Sequence, residues 1–157
     1  MVCITIACVL SGNIQAKSRI EHQVHVGGPD ASGLCEDGDQ ACDKNFHLTS
    51  LVMSNDKIVG NYVDRFAGDS KGFMAKIDCV SINDNKAWIS GIIKNGDYAG
   101  LDSIGRRVAT LVVDNGKNIE FPFDQISFSI LVPDSHDYSN QPDWPLLDMP
   151  NGQVSIR

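Results

Sequence analysis

Residues 72–93 read GFMAKIDCVSINDNKAWISGII, and residues 106–129 read RRVATLVVDNGKNIEFPFDQISFS. In the first stretch Phe73, Ala75, Ile77 and Cys79 alternate with Met74, Lys76, Asp78 and Val80. That period of two puts successive side chains on opposite faces of a strand. Asn83-Asp84-Asn85 interrupts it, because short amide and carboxylate side chains tolerate left-handed backbone and bond their own turn. Ala87, Ile89, Gly91 and Ile93 then resume the alternation, so a β-hairpin is expected. Cys79 falls in phase with Phe73 and Ile77 and is expected as a buried, inert thiol. A glycine-punctuated connection from Asn95 to Gly105 leads to the second stretch. There Arg107 to Asp114 is apolar on both faces, the mark of a strand that is central or covered from outside. Asp114-Asn115-Gly116 turns the chain. Ile126, Phe128, Ile130 and Val132 then alternate with Gln125, Ser127 and Ser129 as a half-buried strand.

Working toward the N-terminus, Ile58, Gly60, Tyr62 and Phe66 share one period-two register behind the tight turn Ser54-Asn55-Asp56. Phe46, Leu48, Ser50 and Val52 mark a strand before it, and Ile20, His22, Val24 and Val26 mark another, separated by an acidic loop over 29–44. Toward the C-terminus a proline-rich, aromatic segment from Pro133 to Pro150 precedes a short last strand, Gln153 to Ile156. No stretch sustains helical periodicity for three turns. Roughly eight short strands with turn chemistry between them predict an all-β fold, an antiparallel barrel or, as the alternative, a two-sheet β-sandwich. A barrel is preferred because closure removes the edges that eight strands expose.

The chain has 157 residues and 42% hydrophobic content, enough for one domain with its own core. Its 13 basic residues are scattered among 20 acidic ones, for a net charge of −7 and a pI near 4.8. That balance argues against nucleic acid as a partner, which needs Lys and Arg clustered on one face. Residues 1–16, MVCITIACVLSGNIQA, carry no charged side chain and resemble the apolar and cleavage regions of a secretory signal. They are too few to span a bilayer, so no transmembrane segment is expected. The expectation is a secreted or periplasmic protein whose single domain covers residues 17–157. A lipoprotein anchor at Cys8 is the lesser alternative, since Thr5 stands where an aliphatic residue is wanted. Cys35 and Cys42 bracket a polar acidic loop, and a local disulfide there suits an oxidising compartment. Zinc held by these two thiols is the rival, with poor spacing. The absence of Asn-x-Ser/Thr favours a bacterial source.

Cys79, Asn85, Ala87, Gly91, the run Val112-Val113-Asp114-Asn115-Gly116, and Pro122, Asp124, Ile126 and Ser127 form a pattern. In it the chain resembles a group of largely uncharacterised secreted bacterial β-proteins with Val-Val-Asp-Asn-Gly followed by Pro-x-Asp-x-Ile-Ser. The closing Asn151-Gly152-Gln153-Val154 is similar to that group's terminal strand. The match covers about half the chain and departs at Asn83-Asp84 and at Lys117. The resemblance implies a β fold and export, and it implies no activity.

Asp114 and Asp124 flank the Asn115-Gly116 turn, and two carboxylates with backbone carbonyls suit a hard cation such as Ca²⁺. The alternative is that both cap turn amides. Close carboxylates also serve acid–base chemistry at glycosidase separations of about 5–9 Å. Acidic residues 36–43 lack the spacing of a calcium loop, and His22, His25, His47 and His136 lack metal-ligand spacing. Ser135-His136-Asp137 holds triad residue types, but neighbours in sequence do not assemble the relay. Trp144 and Tyr138, on a loop among prolines, are candidate ligand-binding aromatics; otherwise Trp144 with Leu146-Leu147 plugs one end of the barrel. Without a catalytic cluster, the leading expectation is a non-enzymatic binding or accessory module for a small apolar ligand or a protein or glycan surface. The alternatives are a barrel enzyme (a hydrolase, or an isomerase or cyclase) with a minimal active site, and a structural envelope-associated protein.

Overall fold

The computed structural model describes residues 18–28, 45–65, 72–116, 122–135, 138 and 140–157. Its strands are β1 (Ile20–Gly28), β2 (Asn45–Met53), β3 (Ile58–Arg65), β4 (Phe73–Asn83), β5 (Lys86–Tyr98) and β6 (Leu101–Asp102). They continue with β7 (Arg107–Val113), β8 (Gln125–Ser127), β9 (Ile130–Val132), β10 (Leu146–Asp148) and β11 (Gln153–Ile156). The turns between them follow from residue type. Asp56 and Asp84 sit at φ 59° and 52° in the two tight hairpins, the left-handed region that Asp enters at low cost. Ala99 and Gly100, at φ 52° and 79°, make a further hairpin inside the Asn95–Gly105 connection and pair β6 with β5.

All described ladders are antiparallel, in the order β10-β8-β7-β5-β4-β3-β2-β1-β11, with β6 on β5 and β9 on β7. The sheet curls strongly into a half-barrel of nine strands, the barrel class that the strand count predicts. Among the described residues its ladder stays open between the two end strands, β10 and β11. Inward side chains from every long strand meet in one core, among them Val24, Leu48, Tyr62, Phe73, Ile77, Ile89, Val112 and Val154. Each such side chain contributes about 1.5–3 kcal/mol by burial. None of the buried side chains in this core is more than 5% exposed.

Two strands leave the expected phase, both through an extra residue. The register of β4 on β5 shifts between Ile77 and Cys79. Beyond that bulge Val80 and Ile82 pack on the core, while Cys79 turns to the outer face with Trp88 and Leu111. Cys79 is therefore half-buried and lies opposite Phe73 and Ile77, not with them. Gly91 makes the crossing fit. A Cβ there would sit 2.2 Å from the Lys76 carbonyl oxygen.

The second shift splits the expected strand over 125–132. Ile126 pairs with Val112 and Ile130 with Ala109, so Phe128 and Ser129 are displaced from the ladder. Phe128 turns to solvent, Leu131 faces the core and Val132 the outer cluster. The Ser127 hydroxyl replaces the missing ladder bond by accepting the Leu111 amide at 2.9 Å.

On β7 the alternate residues Val108 and Val112 join the core, whereas Ala109 and Leu111 join a second cluster with Trp88 and Tyr138. Tyr138, Trp144 and Leu146 supply the cover. Trp88 Nε1 donates to the Pro142 carbonyl at 2.9 Å, and Asn83 Nδ2 to Gln141 Oε1 at 2.8 Å. A strand apolar on both sides thus has a core beneath it and a strap above it, as its sequence requires.

Candidate binding furrow on the outer sheet face

The inward phases of β11, β1, β2 and β3 fill the core, and their outward phases mix polar side chains with Leu51, Met53, Val59 and Val63. Val24 and Val26 face inward, so Gln23, His25 and Gly27 face outward; Phe46 and Leu48 face inward, so Asn45, His47 and Thr49 face outward. Cross-strand registry sets these residues in rows. Gln153, Gly27, His47 and Val63 form one, and Ser155, His25, Thr49 and Asn61 the next. Gly27 has no side chain, and the row hollows at that point.

Two adjoining hollows of about 670 and 450 Å³ share Gly27 and His47. Together they form a furrow across the strands, with Arg157 at one end and Arg65 at the other. His25 is fixed within it, the Gln23 amide donating to its Nε2 and its Nδ1 lying 3.3 Å from the Thr49 hydroxyl. Beneath it β1, β2 and β3 are laddered on both sides and β11 on one, so the side chains project from a hydrogen-bonded floor.

Asp114 and Asp124 stand beside this furrow and act on the seam. Asp114 Oδ1 accepts the Gly116 amide and its Oδ2 the Ile156 amide, both at 2.9 Å. Asp124 Oδ1 accepts the Asn115 amide at 2.8 Å and its Oδ2 the Val154 amide at 2.6 Å. The amides of Val154 and Ile156 point away from β1, which already binds the other side of β11. Two side chains thus clasp the edge strand where a neighbouring strand would otherwise pair. Each of the four carboxylate oxygens receives an amide hydrogen. Among the described residues no group of three or more His, Cys, Asp or Glu is arranged to hold a metal ion.

Tyr138 and Trp144 lie together, ring centroids 6.4 Å apart and edge to face, in the strap over β5 and β7. They cover the outside of the sheet instead of plugging an end of it. Tyr138 is 5% exposed, and burial pushes its phenol above the ordinary 10.0, against the lowering effect of a Ser90 hydrogen bond. Nearby, Arg107 forms a two-pronged ion pair with Asp78, at 2.5 and 3.1 Å, and donates to Ser90 at 3.1 Å. Cys35, Cys42 and residues 1–16 lie outside the described residues, as do His136 and Asp137.

A polar network also sits inside the sheet. The Tyr62 hydroxyl bonds Asp64 Oδ2 at 3.0 Å and Ser129 Oγ at 2.5 Å; Ser129 also reaches Asp64, and Tyr98 donates to the Ser129 carbonyl. These are residue types of acid–base chemistry, but Asp64 is 4% and Ser129 8% exposed. Tyr62, Asp64 and Ser129 are buried and Tyr98 half-buried, and the network ties β3 to the bulge at Ser129.

Period-two reading of β1 already puts Gln23 and His25 outward. It does not reveal that β11 pairs with β1, and only that long-range pairing sets Gln153, Ser155 and Arg157 beside them. Set against protein-family models, curated proteins and solved structures, the chain matches none.

Proposed function

We propose that this chain is a non-enzymatic binding module that holds a polar ligand, a glycan, on the outer face of its sheet. The observation that carries the reading is the furrow across β11, β1, β2 and β3, where Gln23, His25, Asn45, His47, Gln153 and Ser155 stand among apolar and glycine positions. Such side chains offer donors and acceptors in pairs, which is what sugar hydroxyls require. The packed core favours surface recognition over a small apolar guest inside the barrel. Export belongs to the same reading and rests on the charge-free apolar stretch 1–16. Among the described residues no helix is long and apolar enough to cross a membrane.

The test is an oligosaccharide array probed with the full chain and with His47→Ala and Gln153→Ala, both on exposed positions. Binding by the parent that the two variants lose supports the proposal. A silent array, or variants that bind like the parent, overturns it.

A further inference from the structure

Among the described residues, the side chains lining the furrow carry a charge opposite in sign to that of the chain as a whole. The described lining carries the two guanidinium groups of Arg65 and Arg157 against one carboxylate side chain, Asp114. That carboxylate is already occupied by the amides of Gly116 and Ile156. In a chain of net charge −7 this is a local reversal. An arginine at each end offers a planar fork suited to a carboxylate.

We infer that the ligand is an acidic polysaccharide, its carboxylates met by Arg65 and Arg157 and its hydroxyls by the amide and hydroxyl side chains between them. The inference rests on the glycan-binding reading above and adds the charge of the ligand. An extended acidic peptide fits less well. Peptides that join a sheet bind through free backbone groups at an edge. The furrow runs over a sheet face, and the outward amides of β11 are held by Asp114 and Asp124. Adjacent strands stand about 4.8 Å apart, so one row of side chains can address successive units of an extended chain.

The probes are polygalacturonate oligomers, the same oligomers with their carboxyls reduced to alcohols, and poly-glutamate, each titrated calorimetrically into the full chain. Arg65→Gln and Arg157→Gln are compared with the parent, with melting temperature as a check on folding. The expected result is binding of polygalacturonate in preference to the other two. Each arginine variant should weaken it about three- to fivefold, the range of an exposed ion pair, and added salt should weaken it further. Equal binding of the reduced oligomers overturns the acidic-ligand inference and leaves the glycan reading standing. Equal binding of poly-glutamate, or arginine variants that bind like the parent, also overturns it. Binding of none of the three overturns the acidic-ligand inference, and the oligosaccharide array then decides whether the glycan reading survives.

Discussion

Asp124 and Val154 are joined across the seam of the sheet, the Oδ2 of the first accepting the amide hydrogen of the second at 2.6 Å. Asp124 is 6% exposed, and its other oxygen takes the Asn115 amide. One buried carboxylate thus fixes both the turn after β7 and the strand that ends the sheet. Asp124→Asn leaves a single acceptor oxygen for two amides and directs an NH₂ at one of them. The expected loss is about 1–3 kcal/mol, read from urea unfolding midpoints. Asp114→Asn breaks the same kind of arrangement at a more exposed site and should cost less. An Asp124→Asn midpoint equal to that of the parent would show that the clasp contributes nothing.

Calcium tests the same pair differently. Metal binding at Asp114 and Asp124 requires oxygens that now face amide hydrogens. Melting temperatures in Ca²⁺ and in chelator are therefore expected to coincide. A rise of more than a few degrees with Ca²⁺, abolished by Asp114→Asn, would establish a cation site there.

Two glycines should respond for different reasons. Gly91→Ala places a methyl group 2.2 Å from the Lys76 carbonyl oxygen, and the hairpin must open to admit it. A cost of about 2–3 kcal/mol is expected, the scale of an overpacked core. Gly116 has open space around it but a φ of 102°. Gly116→Val is expected to cost about 1–2 kcal/mol through backbone strain alone. Thermal melts that rank the two in the opposite order would refute this account.

Alkaline stability follows from Tyr98 and Tyr138. Burial raises both phenols above 10.0, and Asp64 raises Tyr98 further. Between pH 10 and the higher folded values, the folded chain keeps protons that the unfolded chain has released. The contribution is thus whole below pH 10 and is lost as pH rises through that window. Denaturation midpoints taken from pH 8 to 11 should fall at the top of the range, and less steeply in Tyr98→Phe. An unchanged slope in that variant would remove Tyr98 from the explanation.

Peptide mapping of exported protein should find Cys35 bonded to Cys42. Cys79, half-buried beneath the strap, should remain a thiol that alkylates slowly until the chain unfolds. A bond between Cys79 and either loop cysteine would contradict both statements.

The strands were legible in the sequence wherever polar and apolar residues alternate without interruption. Val24 and Val26, Phe46 and Leu48, and Ala87 and Ile89 all face the core as their spacing requires. The apolar double face of β7 foretold a cover, though not which segment supplies it. Periodicity failed at Cys79 and at Phe128, because a bulge inserts one residue and inverts every later side chain while leaving composition unchanged. The candidate site was legible only in pieces. Gln23 and His25 lie far in sequence from Arg157, and alternation along a strand says nothing about which strand lies beside it.

A sheet whose ladder does not close carries a hazard, since a row of outward amides is a template on which another chain can polymerise. The carboxylates of Asp114 and Asp124 consume the Val154 and Ile156 amides and lay two negative charges along that border. A second copy approaching in register meets like charge and no donors. The clasp therefore governs how the chain behaves in a crowd as much as how it folds alone. A population that has lost both aspartates is the one in which fibres should nucleate.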